Sequence, residues 1–107
     1  MKVNIHRREN AMSLNSFADH YGLTLELRQR SLGVPAMEWY AAFASCEELN
    51  GIFLRGISGD GATPIDAAVK LAEVLSGKLV VIHAYGPDRK EVRVPHLAGV
   101  SLPDYCK

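Results

Sequence analysis

The chain has no apolar run near the roughly 18 to 20 residues that cross a bilayer, so no helical membrane span is expected. Its first residues, MKVNIHRREN, are polar and charged, and no apolar stretch of a secretory signal follows them. Cysteine is scarce: Cys46 and Cys106 are too few for a disulfide framework. Without export features they point to a reducing cytoplasm. Net charge is absent too, with 12 Lys and Arg against 12 Asp and Glu. That balance excludes an obligate nucleic-acid coat, an acidic DNA mimic and a disordered tail. Missing as well are G-x-S-x-G, H-E-x-x-H and C-x2-C spacings and the phosphate-binding glycine motifs. No catalytic residue, cofactor or metal is therefore expected, and the chain does not read as an enzyme.

What is present is one domain's worth of sequence, 107 residues with 48% apolar and 22% charged side chains. A chain of this size buries roughly two-thirds of its unfolded surface, enough for its own core. The neutrality is partitioned. Residues 1–30 and 78–107 each carry a net +2 and residues 31–77 a net −4, through Glu38, Glu47, Glu48, Asp60, Asp66 and Glu73.

Ser13 is a good N-cap for a short helix with Leu14, Phe17, Ala18 and Tyr21 on one face, closed by Gly22. Leu23, Leu25 and Leu27 alternate with polar residues as a strand with one buried face. Ser31–Ala36 reads as a loop. Met37, Trp39, Ala41 and Phe43 alternate in a second strand, expected antiparallel to the first. Asn50-Gly51 is a strong turn signal, and Ile52 to Ser58 is expected as strand three. Gly59–Ala62 reads as a flexible bend. Thr63, Pro64 and Asp66 then have the spacing of a helix N-terminus. The stripe expected to be buried is Ile65, Ala68, Val69, Ala72 and Leu75, with Asp66 and Lys70 as an i, i+4 pair. Leu79–Ile82, apolar on both faces, is a buried strand, and Glu91–Val94 an edge strand closed by Pro95.

The expected order is α-β-β-β-α-β-β, an α+β single domain with one mainly antiparallel sheet packed with one or two helices. A right-handed crossover through the second helix would make strands three and four parallel. Residues 1–11 are expected as a loosely ordered arm, 12–95 as the domain and 96–107 as an irregular tail.

Few residues offer chemistry. His6, His20, His83 and His96 have no ligand spacing with one another or with the cysteines, and His83 reads as a structural histidine. Cys46 stands beside Glu47 and Glu48, whose charges raise a thiol's pKa, so it reads as a small apolar strand residue. Glu47 and Glu48 read as a solvated loop. Anion binding at Gly59–Thr63 is opposed by Asp60 and Asp66 and by the loss of one donor at Pro64.

Three resemblances follow from the residues. The element order resembles the double-stranded RNA-binding domain. That family opens its second helix with lysines, where this chain has Pro64-Ile65-Asp66-Ala67, so the resemblance is topological. Trp39 to Ile82 resembles the partial RNase H-like module of HicB antitoxins, with Gly59, Asp60, Gly61, Thr63, Asp66 and Ala67 at the matching turn. That resemblance implies binding to a partner protein. A wider one spans Met12 onward. Gly59-x-Gly61-x-Thr63-Pro64-x-x-Ala67, then Ser76-Gly77-Lys78 before the strand at Leu79, then Arg89-x-Glu91-x-x-Val94-Pro95 look like a family of small phage and prophage proteins. That family's turn often reads Gly-Asn-Gly, and Asp60 departs from it. The resemblance implies a phage accessory protein that binds and inhibits a host factor, such as a CRISPR-type defence complex.

The residues themselves point to binding at one place. With Met37, Trp39, Ala41 and Phe43 facing the capped helix, Tyr40, Ala42 and Ala44 face away, joined by Phe53, Arg55 and Ile57 on the next strand. Aromatics and arginine are enriched at binding hot spots, so Tyr40, Phe53, Arg55 and Ile57 are the candidate partner-binding residues. The first helix, a second copy or a host or phage protein would cover that face. Nucleic-acid binding through Arg7, Arg8, Arg28, Arg30, Lys90 and Arg93 is the alternative, disfavoured by the acidic centre. No membrane or small-molecule partner is indicated.

Overall fold

A computed structural model of the protein describes residues 12–30 and 33–100. The expected arm at 1–11, Cys106 and the end of the expected tail lie outside them. Helix α1, Leu14–Tyr21, begins where the sequence predicts it. Ser13 accepts a hydrogen bond from the Ser16 amide at 3.0 Å, and Gly22 closes the helix in the left-handed conformation. Leu14, Phe17 and Ala18 are buried, and the Phe17 ring lies 6.2 Å from that of Phe43.

Strands β1, Leu25–Gln29, and β2, Trp39–Phe43, pair antiparallel as expected, with Leu27 opposite Ala41. A single 3-10 turn, Pro35–Met37, leads into β2 and takes Met37 out of the strand. Two stretches between β2 and the second helix differ from the reading of the sequence. Cys46–Asn50 is a strand, β3, so Glu47 and Glu48 do not open a loop. It forms a hairpin across Asn50-Gly51 with β4, Phe53–Arg55. Gly59–Gly61, expected as a bend, is strand β5, paired with β2. Helix α2 is Pro64–Leu75, β6 is Leu79–Ile82 and β7 is Lys90–Arg93.

These strands form two sheets, β1-β2-β5 and β4-β3-β6-β7. The α+β class holds, but the expected single sheet is split. The chain leaves the first sheet at Ala44-Ser45, returns through Gly56–Ser58 and leaves again through α2. The strands read as three and four, β4 and β6, do lie in one sheet and run parallel, since both pair antiparallel with β3, but β3 separates them and the chain between them passes through β5 as well as α2. Every pairing of named strands among the described residues is antiparallel.

Helix α2 decides the architecture. Its cap is as predicted, with the Thr63 hydroxyl accepting from the Asp66 amide at 3.1 Å. Its buried face is rotated: Ala67, Ala68, Leu71, Ala72 and Leu75 are buried, whereas Ile65 and Val69 are exposed. The reason lies in β5. A Cβ placed on Gly59 would stand 2.2 Å from the Leu71 amide nitrogen, and one on Gly61 2.5 Å from that of Ala67. The helix backbone rests directly on the strand, and only glycine beneath and small residues above permit that approach. On its exposed side Lys70 lies 3.8 Å from Glu73, and the expected Asp66–Lys70 pair is not formed.

The core joins the layers: Leu14, Phe17, Phe43, Leu71, Leu75, Val80, Ile82, Val92 and Val94 share one cluster. Each large side chain in it contributes about 1.5–3 kcal/mol by leaving water. The expected tail begins inside the fold. Met12 bridges Leu97, which is buried, and the Leu14 amide donates to the Gly99 carbonyl at 3.0 Å.

Candidate binding cleft between the sheets

Where the chain crosses from β2 to β3, the two sheets part and leave an open cleft of about 650 Å3. Tyr40 and Ala42 line one side, Glu47 and Ile57 another, and the turn His83–Gly86 the rim. Two non-glycine residues with positive φ stand here, Ser45 at 61° and His83 at 55°. Residues held in that region cost about 1–3 kcal/mol each and persist only where their surroundings fix them. Here the His83 amide donates to the Ser45 carbonyl at 2.9 Å, and the Gly86 amide to the His83 carbonyl at 3.1 Å. The turn is thereby tied to the point where the chain changes sheets, and it projects Tyr85, 88% exposed, into solvent.

Tyr40 is positioned by its neighbours. It lies opposite Arg28 on β1 and Asp60 on β5. The Arg30 guanidinium sits 4.7 Å from its ring centroid and pairs with Asp60. The Arg30 amide also donates to the Glu38 carbonyl at 2.6 Å. The ring is held from above by a cation whose charge is already answered.

Cys46 lines the cleft, and its thiol is quenched. It is 3% exposed, and its thiol is pushed up to about 11, first by burial and then by the charge of Glu47. That agrees with its reading as an apolar strand residue. Glu47 and Glu48 are half-buried strand residues, opposite Val81 and Val80. Among the described residues, no three of His, Cys, Asp and Glu come together as metal ligands.

Of the four candidate residues, Tyr40 and Ile57 line the cleft. Phe53 and Arg55 do not, because they lie on β4 at the outer edge of the second sheet. The expected common face does not exist. The side of the first sheet that carries Tyr40 also carries Glu26, Arg28 and Asp60, and α1 packs on the opposite side, against Phe43. Tyr85 was the residue that turn chemistry concealed. An aromatic inside Tyr85-Gly86-Pro87-Asp88 has no strand or helix face to pack on, and that is the signal by which it is found. Of the basic residues considered for nucleic acid, Arg7 and Arg8 lie outside the described residues. Arg30 is paired with Asp60, Arg93 donates to the Gly77 carbonyl at 2.9 Å, and Lys90 lies 5.9 Å from the Tyr21 ring centroid.

Comparison of the chain with protein-family models, with curated proteins and with solved structures finds no match.

Proposed function

We propose that the chain is a protein-binding module whose cleft between the sheets receives a segment of a partner protein. One observation carries the reading: an open cleft of about 650 Å3 brings together Tyr40, Ile57 and the outward-facing Tyr85. Large aromatic and aliphatic groups around a concavity are the usual anchors of protein recognition. The thiol of Cys46 is buried and held in its neutral form at physiological pH, a poor nucleophile. The resemblance to small phage proteins frames the partner as a bacterial host protein and the action as inhibition. A CRISPR-type effector complex is the first such partner to test. Of the basic side chains that a nucleic-acid reading needs, Arg30 already has its charge answered by Asp60, which favours protein over nucleic acid.

The test is capture from bacterial lysate with the wild-type chain, Tyr85→Ser and Ala42→Arg. The first variant removes the rim aromatic, and the second places a long charged side chain in the cleft. A stoichiometric protein retained by the wild type and lost with both variants supports the reading. A partner retained equally by all three, or none retained by the wild type, overturns it.

A further inference from the structure

We propose that the outer edge of β4 is a self-association edge, where a second copy of this chain adds its own β4 antiparallel about a two-fold axis through Leu54. Sheet edges invite pairing and are guarded by charge, by cover or by brevity. β4 is short and carries Arg55, but it differs from the other three edges in its exposed apolar side chains. β7 carries Lys90, Glu91 and Arg93, β1 carries Glu26 and Arg28, and β5 lies under α2. β4 reads Phe53-Leu54-Arg55, and Ile52 precedes it. No described strand pairs with its outer side. Ile52 and Phe53 are 87% and 70% exposed.

Register makes the occupant a second copy. Antiparallel strands related by a two-fold axis keep their faces matched only if the axis passes through a residue. An axis through Arg55 stacks arginine on arginine, and one through Phe53 draws turn residues into the ladder. Through Leu54, all three residues pair. Phe53 then lies opposite Arg55 of the second copy, a cation–π pair, and Leu54 opposite its own counterpart. Within the chain, Arg55 is already opposite Glu48 and Leu54 opposite Leu49. Association therefore extends two existing rows: Glu48–Arg55 onto Phe53 of the second copy on one face, and a ladder of four leucines on the other. Three residues make a short edge, so the dimer is weak and depends on concentration.

Sedimentation over a dilution series of the full chain, with single variants, tests this. The wild type passes from monomer to dimer with rising concentration. Arg55→Glu, which sets a carboxylate against Phe53, raises the dissociation constant about tenfold. Phe53→Glu, which sets it against Arg55, retains the dimer, whereas unspecific hydrophobic association is lost with that change. In a Cys106→Ser background, Leu54→Cys forms an intermolecular disulfide, because opposed Cα atoms lie about 4.5–5.5 Å apart. Phe53→Cys does not, because its counterpart is two residues out of register. This cysteine pair decides the matter should Arg55→Glu fail to fold. A wild type that stays monomeric throughout, or Phe53→Cys linking as readily as Leu54→Cys, overturns the proposal.

Discussion

Replacing Gly59 by alanine adds one methyl group at the closest approach found at any described glycine. The new Cβ would stand 2.2 Å from the Leu71 amide nitrogen, 2.5 Å from the Ala67 carbonyl oxygen and 2.8 Å from the Leu71 Cα. All three are backbone atoms of α2, so no side chain can turn away and the helix itself has to lift. Overpacking a well-packed core costs about 1–3 kcal/mol, and a clash with rigid backbone belongs at or above the upper end. Lifting α2 also loosens Leu71 and Leu75, both fully buried in the shared core. A loss of about 3 kcal/mol takes a large part of the stability of an ordinary domain and lowers Tm by roughly 12–24 °C at this size. Gly56→Ala is the matched control. Its Cβ meets nothing within 4 Å and its φ is not positive, so the change stays within about 0.5 kcal/mol of wild type. Urea or thermal unfolding followed by circular dichroism measures both. Equal stability of Gly59→Ala and Gly56→Ala would refute the direct seating of helix on strand.

The rotated face of α2 makes a second pair of expectations: Val69→Lys is within about 0.5 kcal/mol of wild type, whereas Leu71→Ala costs about 2–5 kcal/mol in the same denaturation assay. Thr63→Ala removes the cap of α2 and costs about 1 kcal/mol, and Thr63→Ser restores most of it. Cys46 has a pKa raised from 9.0 to about 11, so its stabilising protonation is complete below pH 9 and is lost as pH rises towards 11. At 1.36 kcal/mol per unit the loss is on the order of 3 kcal/mol, and Cys46→Ala unfolding curves lack that alkaline decline.

Elements defined by local chemistry were legible in the sequence. Ser13 with Gly22, and Thr63 with Pro64, bound their helices because caps act within four residues. β6 was legible because four consecutive apolar residues, Leu79–Ile82, admit few other placements. The strands that were missed owe their state to partners far away. Cys46–Asn50 lacks alternation and carries two adjacent carboxylates, yet it is zipped between β4 and β6. Gly59-Asp60-Gly61 has the composition of a bend and becomes a strand because α2 needs a surface without side chains. Periodicity placed Ile65 and Val69 inside since hydrophobicity ranks them above alanine. Fit ranks them below it on a glycine floor. The cleft was half legible: Tyr40 and Ile57 belong to it, but the split between the sheets that creates it leaves no local mark.

The charge partition along the chain acquires a meaning in the fold, and with it comes a last expectation. Asp60 and Glu48, from the acidic middle, pair with Arg30 and Lys78 from the basic flanks. These partly exposed pairs add little stability individually. They do neutralise across thirds what the sequence keeps apart, so the folded surface offers less field than the sequence suggests. Tyr40, Ala42, Ile57 and Tyr85 line the cleft beside the neutral Ser45 and Ser58 and the imidazole of His83, with Glu47 its one acidic group. A partner seated there is held by apolar contact, and its affinity changes by less than about threefold between 50 and 200 mM salt, where screening acts mainly on exposed charges. Nucleic-acid binding with 6–10 phosphate contacts would lose about 10³–10⁵ over the same range. Affinity for the captured partner, measured across that salt series, separates the two, and a steep fall would move the site from the cleft to the basic flanks.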